Sequence, residues 1–577
     1  MAEFEARGDA QDIEPSRIDA ELPEPDGEGF APLTNIALAT AASLALAACG
    51  DGGTGSPPSP PPPPPPPPVT VKVTAVQASR FLSQGAIGHS KADLLNLADS
   101  GFEAWLTAQF AVARPQKFWD FLIANGYDAA ANINSTNGFD AMVWAQLMGN
   151  GDLLRQRVGL ALLDQWVVNV DGFGGSWRAF ALAAYLDVLW DNAFGNYRDL
   201  MEGVSTNAAM GLYLTFLGNA KANAATGAIP DENYARESMQ LFTIGLTMLN
   251  MDGTQVMSGG NPVPTYTQAD VSQAARVWTG YTYATSDNTT PARLRLPMTI
   301  TATKSETGGA SFLGINIPAG SDGATARKLA LDGLFNHQNV PPFVSKQLIQ
   351  HMITSNPSPA YVGRVAAVFA NNGSGVRGDM KAVIRAVLID PEARDDTQVN
   401  STTFGKLREP VVRLVQWAKA FGVSSASQAW AFGNTSSSAT RLGESPGRAP
   451  SVFNWFRPGY VPPGSTVAAS GLVAPEFQIT NEPTIIAYVN YMQNVIVNGA
   501  GDAKPDYSAL TTIAPDSQAL LGELNLVLAA NQISAATIGQ MKTALDTIAT
   551  TTTAGTLNRI YAAIVLVMAS PEYLVLR

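Results

Sequence analysis

Asp231, Glu232, Arg236 and Glu237 crowd into one short segment, Pro230-Asp231-Glu232-Asn233-Tyr234-Ala235-Arg236-Glu237-Ser238-Met239-Gln240-Leu241-Phe242. Asp231 follows a proline and precedes a helical pattern, the place where an N-cap belongs. On that helix Asn233 and Glu237, Glu232 and Arg236, and Arg236 and Gln240 are each four residues apart and share a side. Two carboxylates whose surroundings split their pKa values serve as general acid and base, as in glycan hydrolysis. The same spacing also makes ordinary structural ion pairs, and spacing alone leaves both readings open. The chain has three histidines, His89, His337 and His351. His337 sits in Phe335-Asn336-His337-Gln338-Asn339-Val340-Pro341-Pro342, a polar break ahead of a helix. That suits a reactive or ligand-binding group, and it equally suits a capping or buried hydrogen-bonding histidine. The candidate catalytic set is therefore Asp231, Glu232, Arg236, Glu237 and His337, with Asn233, Gln240 and Asn339 as candidate ligand contacts.

A second polar group, Asn454, Trp455 and Arg457, lies in a loop rich in proline and glycine. Sugars stack on aromatic faces and bond to amides and guanidinium groups, so this loop is a candidate glycan contact; loop aromatics also plug cores. Other motifs carry less. There is no His-Glu-x-x-His and only one cysteine, so neither a tight zinc site nor a thiolate cluster is expected, and no metal or cofactor is assigned. Asn250-Met251-Asp252-Gly253 is too short to announce a calcium loop. Gly443-Glu444-Ser445-Pro446-Gly447 has the spacing of a nucleophile elbow, but the Ser-rich stretch before it and Pro446 within it read as a loop. Gly373-Ser374-Gly375-Val376-Arg377-Gly378 follows a helical pattern and reads as a helix–helix turn, not a dinucleotide site. No phosphate-binding Gly-x-x-x-x-Gly-Lys-Ser/Thr occurs.

These residues must be positioned by a chain of 577 residues, 46% apolar and 15% charged, with a net charge of −12. Residues 1–48 carry ten acidic side chains against Arg7 and Arg17, which places −8 there and leaves −4 for the rest. With no basic patch, nucleic acid is excluded as a partner. Ile36 to Ala48 is an uncharged run of thirteen residues, too short to span a bilayer but the right length for a signal-peptide apolar region. It ends in Leu46-Ala47-Ala48-Cys49, which resembles a bacterial lipobox, and the chain's one cysteine stands where lipid would be attached. The acidic stretch ahead of the run departs from that pattern, since signal peptides begin with positive charge. Pro60 to Pro68 is an unbroken proline run. It is expected to form a polyproline II spacer of roughly 28 Å at ~3.1 Å per residue.

The organisation expected is an acidic leader and signal-like segment at 1–48, an anchor and stalk at 49–71, and a helical domain at 72–577. The fold class is mostly α, a large multi-helix globular domain with a small β insertion at about 280–320. Helical spacing marks 86–110, 153–168, 178–192, 197–219, 232–249, 268–279, 324–336, 341–354, 359–371, 377–389, 407–421, 516–530, 533–550 and 555–569. Thr-rich alternation at 280–320 reads as strands, and 425–445 reads as a loop.

The Pro230–Leu246 stretch resembles the bacterial "domain of unknown function 1800" family. Further segments carry the same resemblance in order: Asp191-Asn192-Ala193-Phe194-Gly195-Asn196-Tyr197-Arg198-Asp199, then Thr265-Tyr266-Thr267-Gln268-Ala269-Asp270-Val271, with Trp278-Thr279-Gly280 after it. Phe335 to Phe343, Gly405-Lys406-Leu407-Arg408-Glu409-Pro410, Pro450 to Pro458 and Ser570-Pro571-Glu572-Tyr573 complete it, so that about 78–575 is covered. The resemblance implies an exported, largely helical protein and no particular reaction. It also implies a partner, because members often sit beside a second exported family of unknown function, number 1501.

Two function classes remain open. One is a hydrolase or lyase acting on an envelope or extracellular polymer, with a polysaccharide as the ligand. The other is a non-catalytic binding or scaffold lipoprotein that assembles with an exported partner. In both, the protein is periplasmic or at the cell surface and reaches the membrane through lipid on Cys49. Intact-mass analysis of protein from the membrane fraction is expected to show cleavage before Cys49 and an added acyl mass. A soluble species retaining residues 1–48 would refute the anchor.

Overall fold

The structure, a computed structural model, describes residues 72–577. Cys49, the signal-like run and the proline stalk lie outside the described residues. The body is mostly α, with twenty-four α-helices and only short two-stranded sheets among the described residues. None of these helices is long and apolar enough to cross a membrane.

Four helices with few exposed faces form the centre. Leu153–Gln165 buries eleven of its thirteen residues and packs on Arg178–Asp191, which is buried along most of its length. Val340–Met352 lies across Leu153–Gln165 and packs against Pro359–Ala370 and Met380–Ile389. Pro410–Ala420 buries nine of its eleven residues and contacts Ser517–Ala529 of the C-terminal helices. A helix buried all round belongs inside a large protein, which is why amphipathic periodicity is weak in Leu153–Gln165 and Arg178–Asp191.

Several expected helices are shorter than their spacing suggests. The 86–110 pattern is divided into Lys91–Ser100 and Phe102–Ala111 by Gly101, whose φ of 84° no ordinary residue adopts cheaply. The 197–219 pattern is two helices, Tyr197–Ser205 and Ala208–Tyr213, each capped by an asparagine. The 232–249 pattern is helical only over Asn233–Gln240; the chain then turns through Gly245, at φ 71°, with the Phe343 ring against it. The N-cap of that helix is Glu232, one residue later than expected, while Asp231 accepts the Asn233 N–H at 2.8 Å. Helices at Ala75–Gly85, Phe118–Ala124, Phe139–Trp144 and Glu482–Asn498 go beyond the expected set.

The β insertion is present as two antiparallel pairs, Tyr281–Thr282 with Thr299–Ile300 and Ala310–Phe312 with Ile315–Ile317. Two further pairs lie elsewhere. Met257–Ser258 and Asn261–Pro262 form a hairpin arm after Gly245. Lys406–Leu407 pairs with Val575–Leu576, so the end of the chain closes over the start of the Pro410–Ala420 helix. The 373–378 glycines form the turn between Pro359–Ala370 and Met380–Ile389, and 425–445 is a loop, both as expected.

The central packing depends on Gly159. A Cβ there would overlap the Trp190 indole, which is itself buried and donates to Gln156 Oε1 at 2.7 Å. Helix propensity alone favours alanine over glycine by ~1 kcal/mol. Overpacking costs about 1–3 kcal/mol and outweighs it at this contact. Gly159→Ala is therefore expected to lower the melting temperature in differential scanning calorimetry.

Candidate functional site

The helix Leu153–Gln165 carries Arg157 and Asp164 among leucines, valine and alanine. Their side chains point where three other elements end. His351 is near the C-terminus of Val340–Met352, Glu409 is the N-cap residue of Pro410–Ala420, and Lys406 is on the strand before it. Glu476 comes from the short 3-10 turn Pro475–Ile479, and Glu444 from the 443–447 loop. All are buried titratable groups and therefore need partners.

Lys406 is the best satisfied of them. Its ammonium lies 3.0 Å from Glu409 Oε1 and 3.0 Å from Glu476 Oε1, and it donates to the His351 carbonyl at 2.6 Å. Three donors meet three acceptors. Arg157 also donates to the His351 carbonyl through Nη2, while Nη1 stands 3.8 Å from Glu409 Oε1. Glu444 Oε2 accepts the Val411 N–H at 3.0 Å, and Asp164 Oδ1 accepts Asn454 Nδ2 at 3.0 Å. The remaining atoms are orphans: Asp164 Oδ2, His351 Nδ1, Glu409 Oε2 and Glu476 Oε2, and on the cationic side Arg157 Nε and Nη1, are buried without a hydrogen-bond partner. Two of these atoms face each other, Asp164 Oδ2 and His351 Nδ1, 3.7 Å apart.

Burial and charge split the titrations. Burial pushes the Glu409 carboxyl up, but the Lys406 ammonium and the Arg157 guanidinium together outweigh it and hold the group down at about 2. Burial, with Glu409 as a negative neighbour, pushes Glu444 up to about 8 and Asp164 well above the usual carboxylate range. Burial and then the Lys406 charge depress His351 to about 3. Glu476 is raised by burial despite Lys406.

The cluster is not sealed. Asp164 and His351 also line a cavity of about 1140 Å³, and Asp164, Glu444, Asn454 and Trp455 line a smaller one beside it. The large cavity is walled by Phe343, Phe404, Phe453 and Phe456 and by the amides of Gln165, Gln240, Gln347 and Gln350. The hairpin arm closes one side through Leu249, Asp252, Gly253, Thr254 and Gln255. At this size it exceeds the roughly 300–1,000 Å³ of small-molecule pockets.

The residues singled out from sequence are distributed differently. Asp231, Glu232, Arg236, Glu237 and His337 do not line the large cavity. Glu232 pairs with Arg236 at 3.2 Å and accepts from Gln268 and Ser272, tying Asn233–Gln240 to Gln268–Ala275. Glu237 is 7% exposed, with Oε2 unpartnered and its carboxyl raised by burial against the pull of Arg236. Asn233 is half-buried on the same helix, away from the cavity lining. His337 Nδ1 accepts the Asn339 N–H at 3.1 Å, a capping role. Asn339 is fully buried and bonds the Ile244 and Thr247 carbonyls and the Leu249 N–H, so it anchors the hairpin arm. Gln240 and Arg457 do reach the cavity; Gln240 accepts from Tyr266 Oη at 2.7 Å and Arg457 lies over the Phe453 ring at 4.6 Å. Asn454 holds Asp164, and Trp455 donates to the Ser445 carbonyl at 3.3 Å.

Sequence reasoning passed over Asp164, His351, Lys406, Glu409, Glu444 and Glu476. One signal was available: single charged residues inside otherwise apolar helical runs, as in Leu153–Gln165 and Val340–Met352, must be paired in the interior. The 443–447 segment is the loop expected, yet its Glu444 enters the buried cluster.

Fold and site together define a large α-helical protein with a buried cluster of titratable groups that borders a large cleft. The chain belongs to the family described as "Protein of unknown function (DUF1800)", whose model matches residues 80–575. No curated protein and no solved structure matches it.

The two ion-pair groups are expected to respond very differently to truncation. Lys406→Met leaves Glu409 and Glu476 buried without their shared cation and should cost about 3–5 kcal/mol. Arg236→Ala removes a partly exposed pair and should cost under ~1 kcal/mol. Thermal melts of both variants measure the contrast; equal losses would contradict it.

Proposed function

We propose that this protein is an exported hydrolase or lyase, anchored through Cys49, that cleaves an envelope or extracellular polymer in the 1140 Å³ cleft. The observation that carries the reading is the Asp164–His351 pair, whose facing atoms Oδ2 and Nδ1 are unpartnered and 3.7 Å apart on the wall of a cleft larger than a small molecule needs. A carboxylate and an imidazole this close either pass a proton to a bound substrate or jointly hold a metal ion against it. The cleft lining suits a polysaccharide, since phenyl faces accept sugar rings and the glutamine amides accept and donate to hydroxyls.

A second reading has one observation in its favour. The hairpin arm and the turn before it expose Leu246, Met251 and Met257, at 60%, 47% and 54%. Apolar side chains exposed together suit a binding or scaffold lipoprotein that seats an exported partner.

Incubation with envelope and extracellular polysaccharides, scored by release of new chain ends, separates the two. Cleavage is expected with the parent chain and a loss of about 100-fold or more with Asp164→Asn or His351→Gln, the scale of removing a proton-transfer group. Binding of polymer or partner without any cleavage, unchanged in both variants, would leave the scaffold reading.

A further inference from the structure

We propose that Asp164, His351 and Glu409 bind one divalent first-row ion of the zinc or manganese class where the buried charge cluster meets the cleft. One ligand atom from each of the three residues lies within 4.8 Å of the other two. Asp164 and His351 have side chains only 6% and 7% exposed, and their facing atoms, Oδ2 and Nδ1, have no hydrogen-bond partner. At 3.7 Å they are too far apart for a hydrogen bond. Two ligands at ~2.0–2.2 Å from a shared ion fall naturally at such a separation. Glu409 repeats the pattern: Oε1 is held by Lys406, and Oε2 is free.

Charge points the same way. Asp164, Glu409, Glu444 and Glu476 face three interior cations, Lys406, Arg157 and, beside Glu444, Arg413. Arg413 donates through Nε to the Arg408 carbonyl and lies over the Tyr488 ring, and Arg408 is directed elsewhere, to the Tyr573 carbonyl and ring. A divalent ion offsets this surplus of carboxylate over interior cation. Asn454 already fixes Asp164 through its other oxygen, the kind of outer contact that orients a metal-binding carboxylate. One imidazole and two carboxylates suit zinc or manganese; calcium wants six to eight oxygens. A three-ligand set keeps positions open for water or substrate, and two of the ligands border the cleft. The inference rests on the cleavage reading only for the ion's task, Lewis-acid activation.

The test uses the full chain, tag-free and chelator-treated, with Cys49→Ser to remove the one thiol. Titration with zinc chloride, and separately with manganese chloride, is followed by calorimetry and by melting temperature. One equivalent of at least one of the two ions is expected to bind and to raise the melting temperature, with calcium chloride as the control that does neither. His351→Gln and Asp164→Asn should each weaken binding by at least about tenfold. Absence of one-to-one binding of either ion, or binding unchanged in both variants, overturns the site. Should both variants fail to fold, X-ray absorption of the metal-loaded parent decides, with imidazole scattering expected and its absence overturning the proposal. Ion binding without polymer cleavage would keep the site and remove the cleavage reading, and cleavage untouched by chelation would do the reverse.

Discussion

The buried ammonium of Lys406 is the constraint around which the centre of the protein is arranged. An ammonium out of water is tolerated only when its donors are matched, and here the matches come from Glu409, Glu476 and the His351 carbonyl. Those three residues belong to a helix start, a 3-10 turn and a helix end far apart in sequence. Satisfying one cation thus fixes three chain segments against each other. The strand that carries Lys406 pairs with Val575–Leu576, so the last residues of the chain are held by the same arrangement.

That closure has consequences for the helices. Val340–Met352 and Leu153–Gln165 must bring their C-terminal ends together, and both bury nearly every residue on the way. Close approach of Leu153–Gln165 to Arg178–Asp191 is possible because Gly159 leaves space for the Trp190 ring. The carboxylates outnumber the cations that face them, and burial then forces unequal titration: Glu409 stays ionised beside Lys406 and Arg157, while Glu444 and Asp164 are pushed the other way. An uneven set of this kind, open on one side to a large cleft, is a common physical signature of a functional site. The helix Asn233–Gln240 borders that cleft with Gln240 while its Glu232–Arg236 pair fastens it to Gln268–Ala275. The ridge that attracted attention in the sequence therefore acts largely as a brace, with one edge reaching the cleft.

The sequence by itself determined the class of fold. Helical periodicity, together with capping pairs such as Ser90–Asp93 and Thr267–Asp270, depends on residues three or four apart, and most helices lie where that local signal puts them. The Thr-rich alternation at 280–320 likewise marks the short strand pairs, and the ordered motifs from Asp191 to Tyr573 are legible as family resemblance in a chain that the family model spans. What only the tertiary structure decided is which charges meet. Asp164, His351, Glu409, Glu444 and Glu476 lie up to hundreds of residues apart; an apolar helical run marks a lone charge within it as interior, but nothing local says which partner it meets. Asp231 to Glu237 looked like a site because its charges were neighbours in sequence, and of these Glu232 and Arg236, one helical turn apart and partly exposed, reach each other without help while Glu237 turns inward. Charges that converge from distant segments are brought together by long-range packing, and that packing also removes the water that would otherwise have stabilised them.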